Sequence, residues 1–210
     1  DHMDYHKSMK NYFNSKLILF RKLLKKGNYI ITDKAIPELK KLDKIAKKKR
    51  LKKVYIDYSK KDYDLNQFKP IGNFQKKNLL MAIKACEILG LNKKKISKCI
   101  SKLKSVKGRL ELVKEYPDKT KVFIDFAHTP DAINSAIASL KTHFKKDITI
   151  IFGCGGERDK RKREKMGKIV NSLCNKIYVT DDNPRREKPE LIRKAIMKHI
   201  KKEKVVEVGN

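Results

Sequence analysis

Three short segments in the second half of the chain carry residue types that can do chemistry. Asp125-Phe126-Ala127-His128-Thr129-Pro130-Asp131 sets a carboxylate and an imidazole at the end of an apolar strand, with a helix opening at Pro130 and Asp131. That pair suits nucleotide contact or catalysis; the same residues also read as an N-cap with a histidine satisfied in place. Gly153-Cys154-Gly155-Gly156 is followed by Glu157-Arg158-Asp159-Lys160-Arg161-Lys162-Arg163. The glycines do not fit G-x-G-x-x-G, which makes a dinucleotide site a poor reading. A glycine turn at a helix N-terminus still brings backbone N–H groups against an anion. Arg158, Lys160, Lys162 and Arg163 beside it can hold phosphates or carboxylates, with arginine in bidentate fashion; a solvated basic helix is the competing reading. Asp182-Asn183-Pro184-Arg185 is a turn in which Asn offers donor and acceptor and Arg a planar fork. Together they can grip a zwitterionic amino acid.

The elements that must position these segments alternate strand and helix. Thr149–Phe152 and Lys176–Thr180 read as short buried strands, each stopped by one of the polar turns. As parallel neighbours their ends face one crevice, where open α/β sheets bind ligands. Around them the pattern predicts a hairpin (Leu110–Val113 with Lys121–Asp125), a helix from Asp131 to about Phe144, a helix from Pro189 to about Lys201 and a strand from Val205. In the first half it predicts helices at Met9–Lys26 (Gly27 as C-cap), Ile36–Lys49 (Pro37 in the first turn), Phe74–Leu89 and Asn92–Leu103. One face of the third carries Leu79, Ala82, Ile83 and Cys86. Strands are predicted at Tyr29–Thr32 and Val54–Tyr58. The fold class is α/β with a mainly parallel sheet, and a domain boundary is placed near Lys107, giving 1–107 and 108–210.

The chain has 210 residues, long enough for one large domain or two small ones. Its 54 Lys+Arg against 24 Asp+Glu give a net charge of +30. A basic module for RNA or DNA is therefore a reading to weigh. Against it, the lysines are spread along the whole chain and no nucleic-acid motif or stacking strand is visible; solvated surface is the favoured reading. No apolar run approaches the ~20 residues of a membrane span, and the opening Asp1-His2-Met3-Asp4 has no secretory pattern. Cys86, Cys99, Cys154 and Cys174 form no CxxC pair, which argues against zinc and disulfides and for small buried hydrophobes in a reducing cytoplasm. No G-x-x-x-x-G-K-[ST] loop occurs, and both ends read as cut.

The segments GRLELV (108–113), IDFAHTPDA (124–132), FGCGGERDKRKREKMG (152–167) and TDDNPRREKP (180–189), in this order, resemble the signatures of the Mur ligases of peptidoglycan synthesis. The resemblance implies the latter part of a central ATPase domain followed by most of a Rossmann-like C-terminal domain, with the phosphate loop upstream of Asp1. It implies an ATP-dependent amide-bond ligase that joins meso-diaminopimelate to a UDP-N-acetylmuramoyl dipeptide, using Mg²⁺, monomeric in a bacterial cytoplasm; a lysine-adding member is the alternative. Residue by residue, it implies His2 as a magnesium ligand and Lys16 as a carbamylated lysine supplying an anionic oxygen ligand, the type Mg²⁺ prefers. Asn78 matches an adenine contact and Arg109 a phosphate contact; Asp125 and His128 match nucleotide contacts, His128 with a catalytic part. Arg158, Asn183 and Arg185 match the pocket for the incoming amino acid, where the Arg of DNPR marks diaminopimelate over lysine. The chain departs from the family pattern at Gln75, Phe126, Arg161 and Glu164.

Overall fold

The computed structural model of the protein describes residues 3–58 and 62–209, with side chains from Tyr5 onward. It forms two compact units, one over His6–Ser105 and one built on Val106–Asn210.

A short helix α1 (Met3–His6) precedes α2 of the first unit (Met9–Ile18), which is capped by the Ser8 hydroxyl, accepting from Asn11 N at 3.2 Å. The helix continues as one π-helical turn over Leu19–Leu23 and stops there, short of the expected Lys26, because Leu24 turns extended. Gly27 is therefore no helix cap. It sits in a turn at φ +84°, and its N–H donates to Arg50 O at 3.1 Å. β1 (Tyr29–Asp33) pairs in parallel with β2 (Lys52–Ile56), from Tyr29 opposite Lys52 to Asp33 opposite Ile56. That register, not the apolar run at Val54–Tyr58, sets where the second strand lies. Between them α3 (Leu39–Lys49) starts later than Pro37 predicts. Leu39 N donates to Ile36 O, so Pro37 occupies the second position of a turn ahead of the helix. Leu17, Ile30, Leu42, Ala46 and Leu51 form the core.

α4 (Asn73–Ile88) and α5 (Lys93–Ile100) complete this unit, with Tyr63, Leu79, Ile83, Ile96 and Ile100 packed together. Leu80 is buried and Ala82 exposed, which corrects the expected face. Asn92 caps α5 as expected, its side chain accepting from Lys95 N at 2.9 Å, but the helix ends before Leu103. Lys93, Lys94 and Lys95 lie on the surface, as do Lys47 and Lys48 on α3.

The second unit opens with an antiparallel hairpin, β3 (Glu111–Glu115) with β4 (Lys121–Ile124), irregular between Leu112 and Lys114. α6 (Pro130–Phe144) follows, capped by Thr129, which accepts from Ala132 N at 3.2 Å. Then β5 (Thr149–Phe152), α7 (Arg161–Leu173), β6 (Lys176–Thr180), α8 (Pro189–Met197) and β7 (Val205–Val208) build a parallel sheet in the order β5-β6-β7. Ile177 and Val179 of the central strand are wholly buried among Met166, Val170, Ile192 and Ile196. Each such side chain contributes about 1.5–3 kcal/mol by leaving water. At Gly167 a Cβ would stand 2.0 Å from Ile196 O, so glycine lets α7 close on α8. Cys154 and Cys174 are buried, Cys86 is half-buried and Cys99 exposed; all four are free thiols. Among the described residues no helix is long and apolar enough to cross a membrane.

Candidate active site

Because β5 and β6 are parallel, the turns after Phe152 and Thr180 leave the sheet side by side. They meet along a seam of main-chain contacts. Gly156 N donates to Asn183 O at 2.8 Å, and Arg185 Nη1 donates to Gly156 O at 2.7 Å. The glycines make the approach possible: a Cβ on Gly153 would lie 2.4 Å from Thr180 O, and one on Gly156 1.9 Å from Pro184 O. Arg185 takes a left-handed backbone angle, φ +51°, and its N–H donates to Asn183 Oδ1 at 3.2 Å. Arg158, Asn183 and Arg185, the three residues matched to the amino-acid pocket, thus stand on two turns held together, and all three are exposed. Arg158 makes no ion pair among the described residues. Arg185 spends one donor on Gly156 and keeps the rest of its fork. The Asp182 carboxylate lies 3.6 Å from where a Gly155 Cβ would be, beside Arg185 Nη1. The seam therefore offers cations for carboxylates and an anion for an ammonium.

Two of the four cations expected to hold anions do other work. Arg163 is buried; Nη1 and Nη2 each donate to a different oxygen of Glu187 at 2.9 Å, and Nη2 also reaches Gly155 O at 3.3 Å. Glu157 N donates to the same carboxylate at 2.6 Å, with Glu157 itself at φ +50°. The Arg163 guanidinium, helped by that N–H, holds the Glu187 carboxyl down at about 2. Lys162 donates through Nζ to His128 O at 2.9 Å, tying the first turn of α7 to the segment after β4. Sequence reasoning missed Glu187. Its signal is a lone carboxylate inside Arg185-Arg186-Glu187-Lys188, where an acid among bases needs a reason.

The second cluster gathers Arg109, Asp125 and His128. Asp125 accepts Leu110 N through Oδ2 and Ala127 N through Oδ1, each at 2.8 Å, so its carboxylate fastens the hairpin's two ends. The Leu110 contact holds that residue at φ +46°. Phe126 N donates to Gly108 O at 2.8 Å, and its exposed ring lies over Gly108, with the Arg109 guanidinium 5.8 Å from the ring centre. His128 Nδ1 is 2.9 Å from Phe126 O. A carbonyl accepts only, so Nδ1 carries the proton and Nε2 presents a lone pair in the neutral ring.

In the first unit Lys16 is exposed on α2, its Nζ 4.9 Å from the centre of the Tyr12 ring, and the His6 ring stands 5.1 Å from the same ring. Asn78 is exposed on α4, next to Lys77, which pairs with Asp33 at 2.9 Å. Gln75 is buried. A cleft of about 470 Å³ between β2 and α4, lined by Tyr55, Tyr63, Lys84 and Glu87 among others, includes neither Lys16 nor Asn78. His2 lies outside the described residues. Among those described, no group of three or more His, Cys, Asp or Glu is placed to hold a metal.

Two family models match the chain in succession: the Mur ligase middle domain over residues 1–88 and the Mur ligase, glutamate ligase domain over residues 108–209. The chain belongs to the Mur ligase family. A curated Mur ligase from Rickettsia bellii (strain RML369-C), UDP-N-acetylmuramoyl-L-alanyl-D-glutamate–2,6-diaminopimelate ligase, is 36% identical over 234 residues, covering 100% of this chain and 48% of its own. A solved structure of a ligase of that name is 26% identical, with TM-score 0.55, over 100% of this chain and 48% of its own. A folylpolyglutamate synthase from Mycobacterium tuberculosis, solved with ADP and AMPPCP, shares the fold at TM-score 0.70 and 17% identity over 87% of this chain and 46% of its own. This Mur ligase chain spans about half the length of the curated relatives it matches.

Proposed function

We propose that the chain is part of an ATP-dependent ligase that adds meso-diaminopimelate to UDP-N-acetylmuramoyl-L-alanyl-D-glutamate. The observation that carries the reading is the seam: two turns held together carry Arg158 on one and Asp182, Asn183 and Arg185 on the other, a set complementary to an amino acid with a second charged end. The names of the relatives at 33–36% identity over the whole chain support the same substrate. The glutamate side-chain carboxylate takes the terminal phosphoryl group of ATP, giving an acyl phosphate and ADP. The amine of diaminopimelate then attacks the carbonyl carbon, forming the amide and releasing phosphate. Arg158 and Arg185 hold carboxylates of the incoming amino acid, and Asn183 orients it, so that its amine is presented at attack distance. His128, as the Nδ1–H tautomer, offers Nε2 as an acceptor to a hydroxyl or ammonium proton. Arg109 faces phosphate oxygens, Asp125 keeps the hairpin ends in place beside it, and Asn78 contacts the base.

The residues fit Mg²⁺ in one respect: Lys16 is exposed on its helix, so its amine is open to carbamylation. As a carbamate it would hold the ion with His2, the remaining positions going to phosphate oxygens and water. The ion would offset charge on the transferring phosphoryl group. The enzyme works as a monomer in the bacterial cytoplasm.

The test is a ligation assay on the full-length natural chain, with phosphate release and product mass followed together. Phosphate release should require both the dipeptide and diaminopimelate. Arg185→Ala should lose the preference for diaminopimelate over L-lysine by about tenfold or more, as expected for one charge-assisted hydrogen bond. Unchanged selectivity in a two-substrate competition removes Arg185 from the pocket, and phosphate release indifferent to both amino acids overturns the function.

A further inference from the structure

We infer that Glu187, locked by Arg163, is a positioning residue that sets the spacing between Arg158 and Arg185; the inference rests on the amino-acid pocket proposed above. Glu187 follows Arg185 by two residues on the turn after β6. Its carboxylate reaches across to the turn after β5, where Glu157 N donates to Oε1 at 2.6 Å, immediately before Arg158. Both oxygens are also taken by the Arg163 guanidinium, which is 4% exposed at the root of α7 and donates on to Gly155 O. One carboxylate thus ties the residue before Arg158 and the first turn of α7 to the turn that carries Arg185. The backbone at Glu157 and at Arg185 is left-handed, φ +50° and +51°, a conformation that non-glycine residues leave unless neighbours hold it. Released from Glu187, the 157 peptide can relax, and the Arg158 side chain moves with it. Arg185 meets the other side of the same joint through Gly156 O. Lys160 Nζ, 3.5 Å from Glu187 and 70% exposed, screens the carboxylate and does not anchor it. Bound geometry of two arginine forks depends on their separation, so the clamp acts on the amino acid and not on ATP.

The experiment uses the full-length natural chain with Glu187→Ala, Glu187→Gln and Arg163→Lys. In Glu187→Ala, KM for diaminopimelate should rise about tenfold, the equivalent of one charge-assisted hydrogen bond, while KM for ATP stays within about twofold. Glu187→Gln keeps an oxygen for the Glu157 N–H and should recover part of the loss. A residue with only a structural role lowers the melting temperature and the active fraction but leaves the ratio of the two KM values unchanged. That unchanged ratio, or equal rises in both KM values, overturns the proposal. Should the wild-type chain not accept diaminopimelate at all, the function reading fails, and the clamp is read by amide exchange. Protection of the Glu157 N–H falling about tenfold in Glu187→Ala, but not in Glu187→Gln, upholds it; unchanged protection overturns it.

Discussion

Gly156→Ala tests the seam where it is tightest. Gly156 is not in the left-handed region, so the backbone itself admits alanine; only the neighbour forbids it. The new Cβ would stand 1.9 Å from Pro184 O and 2.6 Å from Pro184 C, both backbone atoms that cannot swing aside. Restoring the about 3.3 Å at which carbon and carbonyl oxygen ordinarily meet requires the turns to part by about 1.4 Å. That shift takes the 2.8 Å bond from Gly156 N to Asn183 O and the 2.7 Å bond from Arg185 to Gly156 O out of range. One neutral and one charged hydrogen bond together represent about 2–4 kcal/mol. For a unit of this size that lowers the melting temperature by about 10–20 °C. Scanning calorimetry measures the shift, and amide exchange of the β5 and β6 peptides assigns it to the second unit. Gly90→Ala is the control: it has open space but φ +86°, so it costs only the left-handed penalty of about 1–2 kcal/mol, and it acts in the first unit. A Gly156→Ala chain that melts within about 3 °C of wild type, with strand exchange unchanged, refutes the tight seam.

Two further outcomes follow from charge and burial. Glu187 is held at about 2 against a usual 4.5, so the clamp's stabilisation is complete above about pH 4.5 and is lost as pH falls through that window toward 2. Urea midpoints of wild type and Glu187→Gln should differ at pH 7 and converge near pH 2; a gap that persists there contradicts the assignment. Burial pushes the Cys154 and Cys174 thiols up to about 11, whereas Cys99 is exposed. Iodoacetamide at pH 8 should therefore modify Cys99 and spare Cys154 and Cys174 until the chain unfolds, as peptide mass mapping will report; equal rates at Cys99 and Cys154 contradict the packing.

The elements of the second unit were legible because each signal was local. An apolar run bounded by glycine or aspartate has one plausible length, and β5, β6 and β7 lie where the runs lie. The errors came where a distant partner decides. The strand expected at Val54–Tyr58 slides to Lys52–Ile56 because the first strand offers its pairing there, exposed lysines included. Pro37 is as compatible with a turn as with a helix start, and the carbonyl of Ile36 settles which. Among the basic residues of Arg158–Arg163 nothing in the order of letters separates a solvent-facing cation from a buried one. Arg163 differs from Arg158 because Glu187, 24 residues away, meets it.

The seam's contacts end to a large extent on main-chain atoms: Asn183 O, Gly155 O, Gly156 O, His128 O and the Glu157 N–H. A joint anchored on peptide groups is indifferent to the side chains carried at 128 and 157. Substitution at 128 or 157 can alter what the crevice recognises while the two turns stay registered, whereas the glycines cannot drift and Asn183 also lends its Oδ1 to the Arg185 N–H. Such a frame separates the evolution of selectivity from the risk of unfolding, and it gives the crevice room to diverge without losing its architecture.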